Sequence, residues 1–158
     1  MSGDGVQVHD EAAARAAVVA EARNWRGCPY HHAAMIKGVG VDCACLLVAV
    51  FRDVGLIEPF DPRPYTKDWM LHRSEEKFLG LLLARAHEVA APGIGDVALM
   101  RVGRCFAHGA IVTETGPLTI LHAYAPARRV IEEAVERTPA IAQAFATARF
   151  ASFWGSPS

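Results

Sequence analysis

Beyond Pro92 and Gly93 four short runs rich in β-branched and apolar residues follow one another, over 96–102, 108–113, 118–123 and 129–135, with Gly103, Gly116 with Pro117, and Pro126 between them. Runs this close together leave no room for crossover helices, so they predict an antiparallel meander. Ahead of them the periodicity is helical. Ala14, Ala17, Val18, Ala22 and Trp25 recur at helical spacing and predict a helix over 11–25, capped by Asp10 and ended by Gly27 and Pro29. A loop with Gly38 and Gly40 leads to Asp42, an acceptable N-cap, and the apolar run 43–54 then predicts a buried helix stopped by Gly55. The proline-bearing stretch 58–65 is a loop, and Thr66 and Ser74 are placed as successive caps before an amphipathic helix over 75–87. A short helix over 138–148 and a last strand over 149–154 complete the pattern. Helices first and strands second is the order of an α+β domain, N-terminal helices on an antiparallel sheet, and not of a βαβ fold.

The 158 residues match the size of one domain, 1–158, and 52% hydrophobic against 21% charged residues is enough apolar surface for one ample core. With 16 Lys and Arg against 17 Asp and Glu the net charge is -1, and no basic block is present, which argues against nucleic acid as a partner. The longest nearly uncharged run, 43–51, is far below the ~20 residues of a membrane span. The first 25 residues lack the basic and continuous apolar regions of a secretory signal, so synthesis in the cytoplasm is expected. Cys28, Cys43, Cys45 and Cys105 form no CxxC pair; neither a disulfide framework nor a metal site is expected.

Chemistry concentrates on three residues. A helix N-terminus lowers a thiol's pKa, and Cys43 is placed for that; Cys45, two residues on, would point about 200° around the helix and cannot share its cleft. On position alone Cys43 reads as one more small apolar residue of a buried helix, and catalysis does not follow. His108 opens HGAIVT and His122 sits in LTILHAY, each in an apolar strand where a histidine can be a satisfied core residue. If 118–123 pairs with 108–113 across the turn at 114–117, however, the two histidines become neighbours on one face. A thiol, an imidazole and a second polar group to orient it form a nucleophile, base and orienter set.

The stretch NWRGCPYHHAAMIKGVGVDCACLLVAVFRDVG, followed by PGIGDVALM, FAHGAIVT and LHAY, resembles the NlpC/P60 superfamily of papain-like cysteine peptidases, and more closely its branch encoded among phage tail and gene transfer agent genes. The resemblance spans roughly 22–135 and implies a papain-like NlpC/P60 fold. It implies Cys43, in Asp42-Cys43-Ala44-Cys45, as nucleophile, His108 as base, His122 as the third polar residue, and the Tyr30 hydroxyl as a partner for the oxyanion. It further implies a peptidoglycan stem-peptide substrate cut between γ-D-glutamyl and a diamino acid, no cofactor, and phage-tail or gene transfer agent structural proteins as carriers to the wall. Ala44 and Cys45 stand where the family has serine and glycine, which removes a hydroxyl and adds bulk but takes away no catalytic group.

Asp42, His31 and His32 are the expected substrate-side residues, although loop histidines can equally be solvated. Trp25, Trp69, Trp154, Phe51, Phe78 and Phe145 read as core, and His72 and His87 as exposed helix residues. Two other functions use the same groups: a tail assembly protein whose inactive cleft binds a partner, and a thiol-dependent acyltransferase.

Overall fold

The computed structural model describes residues 3–58, 84–102 and 105–155. Helix α1 spans Gly3–Arg23, and a two-stranded hairpin, β1 (Met35–Ile36) with β2 (Gly40–Val41), leads into α2 (Cys43–Asp53). Then come β3 (His87–Val89), β4 (Val97–Val102), β5 (Cys105–Thr115), β6 (Leu118–Tyr124), β7 (Arg129–Ala134), the short helix α3 (Pro139–Phe145) and β8 (Arg149–Ser152). The main sheet is antiparallel throughout, in the order β3-β8-β4-β5-β6-β7. This is an α+β fold whose meander, β4 to β7, follows the four predicted runs.

Side chains alternate across a sheet, so β4 to β7 divide into two apolar layers. Val97, Leu99, Ile111, Leu121, Ala123 and Val130 pack with α1 and α2, burying Val18, Trp25, Leu46, Leu47, Val50 and Phe51. On the other layer Ala98, Met100, Ala110, Val112, Ile120 and Tyr124 pack against Ile141 and Ala144 of α3. α2 is buried along nine consecutive residues, from Cys43 to Phe51, as a helix apolar all round must be. Full burial of Phe51 alone contributes ~2–3 kcal/mol. Trp25 and Phe51 are core as expected, while Trp154 is only partly buried, under the Arg15 guanidinium at 4.4 Å. Arg15 also donates to Asp96 Oδ1 at 2.9 Å, tying α1 to the turn before β4.

Several sequence expectations need correction. Asp10 does not cap α1: the helix begins at Gly3, and Asp10 is an exposed residue within it, because no proline upstream forces the backbone out of the helix. At its other end the last turn tightens, Trp25 N–H donating to Ala22 O, and Gly27 ends it at φ +83°. His87 is no helix residue; it opens β3, paired with Ser152 of β8. The rest of the expected 75–87 helix up to 83 lies outside the described residues, as do Thr66, Ser74, Trp69, His72 and Phe78. The last strand ends at Ser152, and it inserts between β3 and β4 where a plain meander would have no partner for it. Among the described residues no helix is long and apolar enough to cross a membrane.

Candidate active site

The site grows out of the turn before α2. Asp42 caps the helix with extended backbone, its Oδ1 accepting from Cys45 N–H at 2.9 Å. Its Oδ2 accepts from Ala33 N–H at 2.7 Å and lies 3.9 Å from His32 Nδ1. One buried carboxylate thus fixes both the helix start and the loop that carries His31 and His32. Ala33 holds a left-handed φ of 58°, a conformation costing a non-glycine residue ~1 kcal/mol or more, and the bond to Asp42 offsets it. Asp42→Ala is therefore expected to destabilise the protein by about 2–4 kcal/mol, through the lost cap and the lost bond to the Ala33 amide, and Asp42→Asn by clearly less, both read from urea midpoints.

Tyr30 is half-buried and is placed by backbone pairing on both sides. Its N–H donates to Arg128 O at 2.9 Å, Pro29 bridges Arg129, and Tyr30 itself pairs with Val41, two residues before Cys43. Segment 28–30 thereby extends the sheet past β7, and Val41 extends it once more, so the start of α2 is stitched to the sheet that holds the histidines. His31 is exposed and packs on Gly40, where a Cβ would lie 3.0 Å from the His31 Cβ and Cδ2, so only glycine lets the hairpin approach this closely.

His108 and His122 come together as the register requires. His108 Nε2 and His122 Nδ1 are 2.6 Å apart, with the rings edge to face at 4.9 Å. Met100 is the cross-strand partner of His108, and Tyr124 stacks on His122 at 4.8 Å, so the pair lies on the sheet face of Tyr124. His108 is 5% exposed and His122 not at all. Burial, and secondarily repulsion from His108, lowers the His122 pKa from 6.5 to about 2, so its ring is neutral and can only relay a hydrogen bond through one donor and one acceptor nitrogen. Cys43 is buried at the first position of α2, whose body packs on β5 and β6 through Ile111, Leu121 and Ala123, the face opposite to that of the histidine pair. First-turn amides carry the positive end of the helix dipole, the environment that favours a thiolate.

No family model and no curated protein matches the chain. Solved structures do. The NlpC/P60 domain of peptidoglycan hydrolase SagA superposes with a TM-score of 0.55 at 21% identity, over 87% of this chain and 96% of that one. The chain has the NlpC/P60 fold. Two structures of an N-acetylmuramoyl-L-alanine amidase from Bacteroides uniformis superpose on it with TM-scores of 0.52 and 0.51, both at 12% identity, over 90% and 88% of this chain and 100% and 98% of theirs.

Within this NlpC/P60 fold the Cys45 side chain is fully buried in the layer beneath α2, as expected for a residue turned away from Cys43. Cys28 belongs to the same layer. Among the described residues no group of three or more His, Cys, Asp or Glu is arranged to hold a metal ion. A surface trough of about 720 Å³ is lined by Arg23, Arg26, Glu114, Thr119, Arg129 and Glu132 and includes none of the site residues above; Arg23 and Arg26 both pair with Glu132 there, and Arg23 also with Glu114. One residue escapes sequence reasoning. Glu133 shares the His122 face because Ile120 is its cross-strand partner, and only the β6–β7 register separates it from Glu132 on the opposite face.

Proposed function

We propose that this protein is a cysteine peptidase of peptidoglycan stem peptides. The observation that supports this best is the buried pair of histidines joined at 2.6 Å, in a chain with the NlpC/P60 fold whose expected nucleophile, Cys43, stands at the first position of α2. The proteins of like fold are named as a peptidoglycan hydrolase and an N-acetylmuramoyl-L-alanine amidase, which favours the wall peptide over other amides.

In this reading the Cys43 thiol gives its proton to His108 Nδ1, while His108 Nε2–H donates to His122 Nδ1. The thiolate attacks the amide carbonyl carbon, and the carbonyl electron pair moves onto oxygen, steadied by the Cys43 N–H and the Tyr30 hydroxyl. Collapse breaks the C–N bond, and His108 protonates the leaving amine. Water, deprotonated by His108, then splits the thioester and returns the thiol. Asp42 holds the loop bearing His31 and His32 on the substrate side. The bond cut is the one between γ-D-glutamyl and the diamino acid, and phage-tail or gene transfer agent proteins carry the enzyme to the wall, as the motif resemblance implies.

Mass mapping of soluble muropeptides after incubation with the reduced protein tests this reading. Fragments ending at the γ-D-glutamyl residue are expected. Intact muropeptides, or cleavage at the muramoyl-L-alanine bond, would overturn the bond assignment. Cofractionation with tail-like particles is expected from the proposed delivery, and its absence from purified particles would remove that part.

A further inference from the structure

Beyond the three residues of the proposed set lies a pair of atoms with no visible use. His122 Nε2 and Glu133 Oε1 are both buried, neither has a hydrogen-bond partner among the described residues, and they are 3.9 Å apart on the same face of β6 and β7. Leaving two such atoms unpaired costs ~1–3 kcal/mol each, so a fold that keeps them facing each other calls for an explanation.

The tautomer of the histidine pair supplies one. A single proton lies between His108 Nε2 and His122 Nδ1, and it belongs to one ring or the other. If it belonged to His122, the neutral ring would turn a bare Nε2 lone pair toward the Glu133 carboxylate, two acceptors face to face in a dry site. His108 would then carry its other proton on Nδ1 and could not accept one from a thiol. If it belongs to His108, His122 must be protonated at Nε2, its N–H meets a carboxylate oxygen, and His108 Nδ1 is left bare as the base.

We propose that Glu133 is a positioning residue which fixes His122 as the Nε2–H tautomer and thereby leaves His108 Nδ1 unprotonated to act as the base. This inference deepens the peptidase reading and rests on it for its kinetic consequence, but its tautomeric consequence is measurable whatever the protein cleaves. At 3.9 Å the two atoms are within ion-pair reach, and the glutamate side chain is 13% exposed.

The test is ¹⁵N NMR of the ring nitrogens, near pH 7, in wild type, Glu133→Gln and Glu133→Ala. In wild type the proton of His122 is expected on Nε2 with its Nδ1 bare, and His108 is expected to be protonated at Nε2. Glu133→Gln, whose amide oxygen still accepts, should keep this pattern. Glu133→Ala should move a substantial share of His122 to the Nδ1–H form. On muropeptides, Glu133→Ala should lower kcat by about 10-fold to 100-fold at unchanged KM, a part of what a positioned base contributes, with Glu133→Gln restoring most of it. A wild-type His122 protonated at Nδ1, or the wild-type tautomer retained in folded Glu133→Ala, would overturn the proposal. If Glu133→Ala fails to fold, the wild-type tautomer decides alone. A wild type that shows the expected tautomers but cleaves no wall peptide would refute the peptidase reading and leave the role of Glu133 standing.

Discussion

Cys43→Ala is expected to reduce muropeptide cleavage by more than about 10⁴-fold while leaving the fold intact, because a methyl group replaces the proposed nucleophile and is no larger than the side chain the buried position already holds. The buried environment matters to both halves of this expectation. Removing a sulfur from a site that is 1% exposed leaves a cavity no larger than one atom, so urea midpoints of variant and wild type should lie within about 1 kcal/mol of each other. Cys45→Ala is the contrasting substitution. Its side chain lies in the layer between α2 and the sheet, and it should leave the chemistry in place. Equal fragment yields from wild type and Cys43→Ala under reducing conditions would show a binding scaffold and not an enzyme.

The second large effect separates the two histidines. His108→Ala should abolish turnover, whereas His122→Gln should retain a measurable fraction, since an amide oxygen can still accept from His108 Nε2–H but nothing in alanine can take the thiol proton. The same residue gives a pH signature in stability. His122 has a folded pKa of about 2 against 6.5 in the unfolded chain, so below pH 6.5 the unfolded state binds a proton that the native state refuses. Its neutral burial is therefore fully tolerated above pH 6.5, and stability is lost progressively as pH falls from 6.5 toward 2. Between pH 7 and pH 5 the loss from this one group is about 2 kcal/mol, and His122→Gln should flatten the curve of urea midpoint against pH over that window. An unchanged slope in the variant would mean that His122 is charged or solvated in the native protein.

Much of this architecture is legible in the sequence because it depends on local rules. Short β-branched and apolar runs punctuated by glycine and proline mark β4 to β7, and Asp42 with Gly55 brackets α2 to within a residue, because a capping carboxylate and a left-handed glycine act within one helical turn. The His108–His122 contact is legible too, since a short hairpin connection sets the register and the register sets the neighbours. What is not legible depends on distant partners. β3 has three residues and exists only because β8 pairs with it. β1 and β2 have two residues each and rest on a turn at Lys37 to Val39, with Gly38 at φ +80°, that reads from sequence as plain loop. The place of β8 between β3 and β4 follows from packing against the end of a chain far away in sequence, which no local pattern encodes. Glu133 stays hidden for the same reason. It is one of two adjacent glutamates, and Glu132 is taken up by Arg23 and Arg26 on the opposite face, a division visible only once β6 and β7 are aligned.

The central claim is that Cys43 is the activated thiol, and limiting iodoacetamide followed by peptide mapping tests it most directly, because alkylation tracks the thiolate fraction and access of each cysteine separately. Performed between pH 5 and pH 8 on the reduced protein, it should label Cys43 before Cys28, Cys45 and Cys105, with the advantage greatest at the acidic end, where an ordinary thiol is almost wholly protonated. The same experiment on His108→Ala should erase most of that advantage. Label appearing first on Cys45 or Cys28, or a Cys43 rate that climbs with pH as an unperturbed thiol does and is indifferent to His108, would contradict the account.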